Sequence, residues 1–212
     1  TVDEELRRVM PVLDALARLP VPVSVDTCKP EVMRRAIDAG AALINDIFAL
    51  RAPGALEAVA AGNAAVCLMH MRGEPRTMQR QPRYDDVVGE VRDFLAARAA
   101  AAMGANVGRD RLLIDPGFGF GKTANHNLVL LREIGQLAAL GFPVLAGLSR
   151  KSLLGKITGR SVNERASASV AAALLAVARG AAIVRVHDVA ETRDALLVRN
   201  AVENPDFSLV ED

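Results

Sequence analysis

One hydrophobic pattern repeats along the chain: an amphipathic helical stretch, a glycine, a short apolar run, then polar residues before the next helix. The apolar runs are PVSVD (22–26), AALIND (41–46), NAAVCLMH (63–70), RLLIDPG (111–117), FPVLAGLSRK (142–151) and AAIVRVHD (181–188). They are continuous rather than alternating, which predicts six parallel strands buried on both faces. Gly40, Gly62, Gly104, Gly141 and Gly180 precede five of them, each expected as the left-handed residue that ends a helix. The first helix is expected over Asp3 to Leu19, with Leu6, Met10, Leu13 and Leu16 inward. A second, over Asp85 to Ala102, carries Val88, Val91, Leu95 and Ala99 on one stripe. Pro30 suits a first helical turn, and Ser161-x-x-Glu164 reads as a capping box opening a helix over Arg165 to Arg179.

Strands alternating with helices imply right-handed crossovers and a parallel sheet. A doubly wound sheet usually opens with a phosphate-binding glycine turn. Gly117, Gly119 and Gly121 make G-x-G-x-G instead, and Pro116 stands where a P-loop ending in Gly121-Lys122-Thr123 needs its first glycine. Polar residues follow every strand, where a (β/α)₈ barrel builds its active site. The expected fold is therefore α/β, a TIM (β/α)₈ barrel forming one domain over 1–212, with six of the eight strands visible. The chain opens on a helix without an initiator Met, so two βα units, about 60–80 residues at barrel spacing, are expected upstream.

Composition narrows the class. Of 212 residues, 51% are hydrophobic and 24% charged, enough for a sizeable core. The net charge is +1, without the basic excess of a nucleic-acid or membrane-surface protein. Aromatic residues are 3%, too few for base-stacking platforms. The longest apolar run, Ser169 to Val184, is broken by Arg179 and Gly180, and no signal-like segment opens the chain. Cys28 and Cys67 make neither a disulfide framework nor a zinc site and fit a reducing cytoplasm. The three histidines lack metal-ligand spacing.

The polar strand ends are Asp26, Asn45, Asp46, His70, Asp115, Ser149, Arg150, Lys151, Arg185, His187 and Asp188. Each has a bland reading. Asp26 could cap the next helix, Asn45 and Asp46 could be turn residues, Asp115-Pro116-Gly117 could be a plain turn, and His187 could be a packed histidine. Jointly they set carboxylates and an amide at three strand ends and cations at two others. That predicts a ligand with a donor-rich polar ring and an anionic group. Only four of the 26 basic residues are lysine (Lys29, Lys122, Lys151, Lys156), all in or near loops after strands. Lys151 then reads as chosen for its compact ammonium.

The strings SVDTCKP (24–30), LINDI (43–47), CLMHM (67–71), DPGFGFGK (115–122), LSRKS (148–152) and RVHD (185–188) closely resemble the dihydropteroate synthase family, the folate-pathway enzymes targeted by sulfonamides. The match runs in order over essentially the whole chain, and DPGFGFGK followed by SRKS and RVHD is its most specific part. The resemblance implies a (β/α)₈ barrel that condenses 6-hydroxymethyl-7,8-dihydropterin diphosphate with 4-aminobenzoate, releasing pyrophosphate, with Mg²⁺ bound. Carried over by motif, Asp26, Asp115 and Lys151 are the catalytic group. Asp115 would accept from the pterin ring N–H and amine, Asn45 and Asp26 would bind the remaining ring nitrogens, and Lys151 would donate to the carbonyl edge. Arg185 and His187 would hold the diphosphate. Phe120, Arg150 and Ser152 would lie near aminobenzoate, and Ile47, Met69 and Gly147 would line the pterin slot.

The family's first strand and its two mobile loops have no counterpart in these 212 residues, so no Mg²⁺ ligand is expected among them. The resemblance also implies a cytoplasmic homodimer through C-terminal helices, in keeping with the Ala-rich stretch Ser167 to Ala178. Two other readings are a methyltetrahydrofolate-binding methyltransferase-type barrel and a truncated, non-catalytic pterin-binding chain. Aminobenzoate-dependent diphosphate release separates the first from a synthase; pterin binding without turnover marks the second.

Overall fold

The computed structural model describes residues 1–204 and 206, apart from 17 and 76. Six strands form at the six apolar runs: β1 (Ser24–Asp26), β2 (Leu43–Asp46), β3 (Ala65–Met69), β4 (Leu112–Asp115), β5 (Leu145–Ala146) and β6 (Ile183–Val184). Around them lie α1 (Val2–Leu16), α2 (Pro30–Asp38), α3 (Ala55–Ala60), α4 (Val87–Gly104), α5 (Ala124–Arg132), α6 (Ile134–Ala138), α7 (Ser152–Thr158), α8 (Ala166–Ala178) and α9 (Val189–Glu203).

Strands β1 to β4 pair in sequence order, all parallel, and β5 pairs parallel with β6. A parallel bridge between Ile114 and Val144 carries the sheet from β4 to β5. Parallel neighbours in chain order with helical crossovers are the TIM-barrel arrangement. The strand side chains divide by parity. Val25, Ile44, Val66, Leu68, Leu112, Ile114, Val144 and Ala146 join the main core against the helices. Cys67, Leu113 and Leu145 pack together on the opposite, inner face with Leu43 and Ala65. Cys67 is thus an apolar filler, and burial pushes its thiol well above the usual range.

The helices follow the expected stripes. Val88, Val91, Leu95 and Ala99 are all buried, and the Asp86 carboxylate caps α4 by accepting from the Val88 and Gly89 amides. Pro30 occupies the first turn of α2. Helix α1 ends at Leu16 rather than Leu19, since Pro20 biases the residue before it away from helical backbone. Of its expected inward residues only Leu13 is fully buried. The Ser161–Glu164 capping box is present, but it closes a 3₁₀ turn over Val162–Glu164, and α8 starts after it.

Two of the five helix-ending glycines are not left-handed. Gly40, Gly141 and Gly180 have positive φ; Gly62 and Gly104 do not. After α4 the turn is made by Asn106 at φ 66°, because the helix runs through Gly104. Gly62 is instead a packing glycine: a Cβ there would lie 2.5 Å from Ile37 Cγ2 on α2, whereas one at Gly104 would meet nothing within 4 Å. The two alanine substitutions should therefore have opposite signs in urea unfolding. Gly62→Ala is expected to cost about 1–3 kcal/mol through overpacking. Gly104→Ala is expected to gain about 0.5–1 kcal/mol from helix propensity.

Candidate active site

Parallel register sets the strand ends side by side: Asp26 pairs with Asn45, and Met69 with Asp115. Above them lies a cavity of about 340 Å³ lined by Asp26, Ile47, Met69, Asp115, Phe120, Gly147, Ser149, Lys151, Arg185, Val186 and His187. Nine of the twelve site residues expected from sequence are among these.

The acceptors sit on one flank. The Asn45 amide donates to Asp26 Oδ2 at 3.1 Å, and Arg185 Nη1 lies 3.0 Å from the same oxygen. Asn45 Oδ1 is buried with no hydrogen-bond partner among the described residues. Folded proteins rarely leave such an acceptor unsatisfied, which sets Asn45 apart from the other polar strand ends. Asp115 is buried, and its Oδ1 accepts the Gly117 N–H at 2.7 Å. Burial raises its carboxyl above the ordinary value, opposed first by the Lys151 charge and then by the Gly117 amide, Lys122 and Arg185.

Lys151 is the cation facing these acceptors. It stands just before α7, donates to the Phe118 carbonyl and lies 4.7 Å from the centre of the Phe120 ring. Burial pulls its ammonium below the usual lysine value, and Asp115 works against that shift. At the rim, His187 accommodates Ser149: its backbone N–H donates to Ser149 Oγ at 3.1 Å, and its Nδ1 lies 2.9 Å from that oxygen. Arg185 is largely exposed, 61% at the side chain, so its ion pair with Asp26 is weak and exchangeable.

Three expected residues lie elsewhere. Asn45, the register partner of Asp26, does not line the cavity and connects to it through its hydrogen bond to Asp26. Arg150 takes a left-handed φ of 57° and turns its guanidinium to Asp188, away from the cavity. Ser152 is exposed at the start of α7, beside a smaller pocket lined also by Phe118, Gly119 and Lys156. Val186 is a cavity residue that the sequence reading did not name, and Ser149 is one it named among the polar strand ends without giving it a role. Ser149 lies in the turn after β5, and its polar side chain at a strand end is the signal that marks it. Asp46 has a structural role: its carboxylate accepts from the Phe48 amide at 2.8 Å and the Leu50 amide at 2.7 Å. That capture, with Arg98 donating to the Ala49 and Leu50 carbonyls, holds Ala49 and Leu50 in the left-handed region next to the cavity residue Ile47.

The pterin binding enzyme family model matches residues 1–187. The dihydropteroate synthase of Escherichia coli strain K12 is 48% identical over 202 residues, covering 95% of this chain and 72% of that protein. The crystal structure of dihydropteroate synthase from Stenotrophomonas maltophilia with imidazole in its active site superimposes with a TM-score of 0.95 at 58% identity. It covers 98% of this chain and 79% of that one. The Xanthomonas albilineans enzyme in complex with 7,8-dihydropteroate gives a TM-score of 0.91 at 55% identity, over 96% of this chain and 76% of that one.

The Asp46 turn gives a ligand-free test of how the cavity wall is held. Asp46→Ala leaves two backbone amides without their acceptor and releases two strained residues, so it is expected to cost about 2 kcal/mol or more in urea unfolding. Asp46→Asn retains one acceptor oxygen and should lose less.

Proposed function

The chain belongs to the dihydropteroate synthase family of pterin binding enzymes, and from that premise we propose that it condenses 6-hydroxymethyl-7,8-dihydropterin diphosphate with 4-aminobenzoate. The products are 7,8-dihydropteroate and pyrophosphate, in folate biosynthesis. The observation that carries the residue roles is the cavity itself: Asp26 and the buried Asp115 on one flank, the partly buried Lys151 facing them, and Arg185 with His187 at the rim.

A pterin presents an N–H and an amine side by side, which a carboxylate accepts through its two oxygens. Asp115 takes that edge, the free Asn45 oxygen takes a further ring donor, and Lys151 donates to the carbonyl edge. Ile47, Met69 and Gly147 form the walls of the slot. Arg185 exchanges its exposed partner Asp26 for the diphosphate, and His187, oriented by Ser149, joins it. Phe120 borders the aminobenzoate, with Arg150 and Ser152 farther out on that side. The 4-aminobenzoate nitrogen attacks the pterin methylene carbon, the carbon–oxygen bond breaks, pyrophosphate leaves with the bonding pair, and the new ammonium gives up a proton to solvent. With cleavage running ahead of attack, positive charge develops on the methylene-pterin. Asp26 and Asp115 stabilise it electrostatically, and no covalent enzyme intermediate is required.

Mg²⁺ belongs to this proposal as a companion of the diphosphate. No three His, Cys, Asp or Glu side chains are grouped to hold a metal among the described residues, and the two cavity carboxylates are already engaged. These residues by themselves do not fit a cation site, and no step is derived through the ion. No described helix is long and apolar enough to cross a membrane, and a reducing cytoplasm is part of the proposal on the strength of two free thiols. A methyltransferase-type pterin barrel is disfavoured by the cationic rim, which suits an anionic leaving group.

The proposal includes a homodimer through α8 and α9. Ala166, Val170, Ala171 and Leu174 line a groove between the two helices, and Leu175, Leu197, Val198 and Val202 are exposed beside it. Sedimentation velocity should show a dimer that Val198→Glu with Leu197→Glu converts to monomer; an unchanged dimer removes this face from the interface.

Asp115→Ala and Lys151→Ala are each expected to abolish pterin-diphosphate binding in titration calorimetry, and unchanged affinity would remove these roles. Asp115 binds donors only when ionised, and its folded carboxyl is raised. Affinity should therefore be complete at neutral pH and fall, as pH drops, at values above those of an ordinary aspartate. Asp115→Asn should weaken binding and flatten that acid limb.

A further inference from the structure

Lys122 is 3% exposed and has no part in the reaction as assigned. Its Nζ lies 3.0 Å from the Gly117 carbonyl, 3.0 Å from the Phe120 carbonyl, 2.9 Å from His70 Nδ1 and 3.4 Å from the His70 carbonyl. An ammonium has three donors, and here they meet three backbone carbonyls and a ring nitrogen. The ring nitrogen is available as an acceptor because burial, then the Lys122 and Arg72 charges, drive the His70 pKa down to about 3. These acceptors come from two segments, the end of β3 and the loop from Pro116 to Lys122 after β4. The segments interlock so closely that a Cβ at Gly117 would lie 1.9 Å from the His70 carbonyl oxygen, and one at Gly121 would lie 2.2 Å from that of Arg72.

The same loop serves both pterin-facing charges. Its Gly117 N–H donates to Asp115, its Phe118 carbonyl accepts from Lys151, and its Phe120 ring lies against the Lys151 ammonium. A hydrocarbon side chain would fill the Lys122 site without the cost of desolvating a charge. Burial pulls the Lys122 ammonium down to about 7 against the opposing Asp115 charge, and in either protonation state its N–H groups add direction, drawing loop and strand carbonyls to one point.

We propose that Lys122 is a positioning residue, a tethered N–H donor that pins the loop after β4 to the end of β3 and so fixes Asp115 and Lys151 for the pterin. The inference rests on the assignment of those two residues to the pterin. It is tested by titrating pterin diphosphate into the wild-type chain, Lys122→Met and Lys122→Ala, with folding checked by circular dichroism. Lys122→Met, which keeps most of the volume, is expected to weaken pterin binding roughly tenfold or more, the scale of one lost charge-assisted hydrogen bond. In steady-state turnover the KM for the pterin should rise while the KM for 4-aminobenzoate changes less than about threefold.

Lys122→Ala should regain part of its affinity with added propylammonium and none with tetramethylammonium, which has the charge but no N–H. Wild-type pterin affinity in folded Lys122→Met overturns the proposal, and so does equal rescue by tetramethylammonium. If neither variant folds, His70→Leu decides. It keeps Lys122 and removes one acceptor, so a severalfold loss of pterin affinity supports the proposal and unchanged affinity overturns it. A wild-type chain that binds no pterin diphosphate refutes the functional reading itself, an outcome distinct from all of these.

Discussion

Parallel pairing holds neighbouring strand ends level, and the period of two along each strand then decides which side chains meet. Asp26 stands beside Asn45, and Met69 beside Asp115, because those residues are register partners. Two residues earlier on the same face lie Leu43, Cys67 and Leu113, which with Leu145 pack the inside of the sheet. Asp26 and Asn45 stand level with the apolar Cys67 and Leu113, and Met69 and Asp115 stand two residues further along the same face. The opposite parity carries Ile44, Val66, Leu68, Leu112 and Ile114 into the helices, which fixes the strands from behind. A slip of one residue in any strand would exchange the two sets.

That constraint also explains how buried charge is tolerated. Asp115 and Lys151 are each shifted toward neutrality by burial, and each is the principal charge opposing the other's shift. Neither pays the full cost of isolation, because the backbone contributes the Gly117 N–H to one and the Phe118 carbonyl to the other. Fixed donors and acceptors of this kind need no reorganisation when charge develops on a bound ring. The site is therefore set by backbone geometry around β3, β4 and β5 rather than by long side chains searching for partners.

Much of this was legible in the sequence, and the rest was hidden for identifiable reasons. Continuous apolar runs located all six strands, since residues buried on both faces leave no polar interruption. The motif resemblance named nine residues that surround one cavity. Arg150 was named with them because it lies between two cavity residues of the same run, but its left-handed turn sends its guanidinium to Asp188. Asp46 and His70 share the outer parity of Ile44 and Leu68, and they and Asp188 each bond to the scaffold. Lys122 stood out as the end of the DPGFGFGK motif, but its role was hidden because most of its partners are backbone carbonyls, which every residue supplies. Gly62 and Gly104 looked like helix stops because glycine's use for close packing reads the same in sequence as its use for positive φ.

Arg150 shows why contacts outside the cavity matter to those inside it. Left-handed backbone at a non-glycine residue costs on the order of 1–2 kcal/mol, and three contacts hold it there. Ser169 Oγ accepts the Arg150 N–H at 2.9 Å, Arg165 donates to the Arg150 carbonyl at 2.9 Å, and Asp188 receives the guanidinium. The turn at Arg150 lies in the short link, residues 147–151, that carries the chain from β5 into α7. Ser149 can thus brace His187 while Lys151, already flanking the next helix, returns its ammonium to the cavity. The strain at Arg150 is borne by α8 and the start of α9, outside the cavity. The segments after β5 and β6 that frame the cavity rim are therefore joined mechanically to the helices proposed to meet a second subunit.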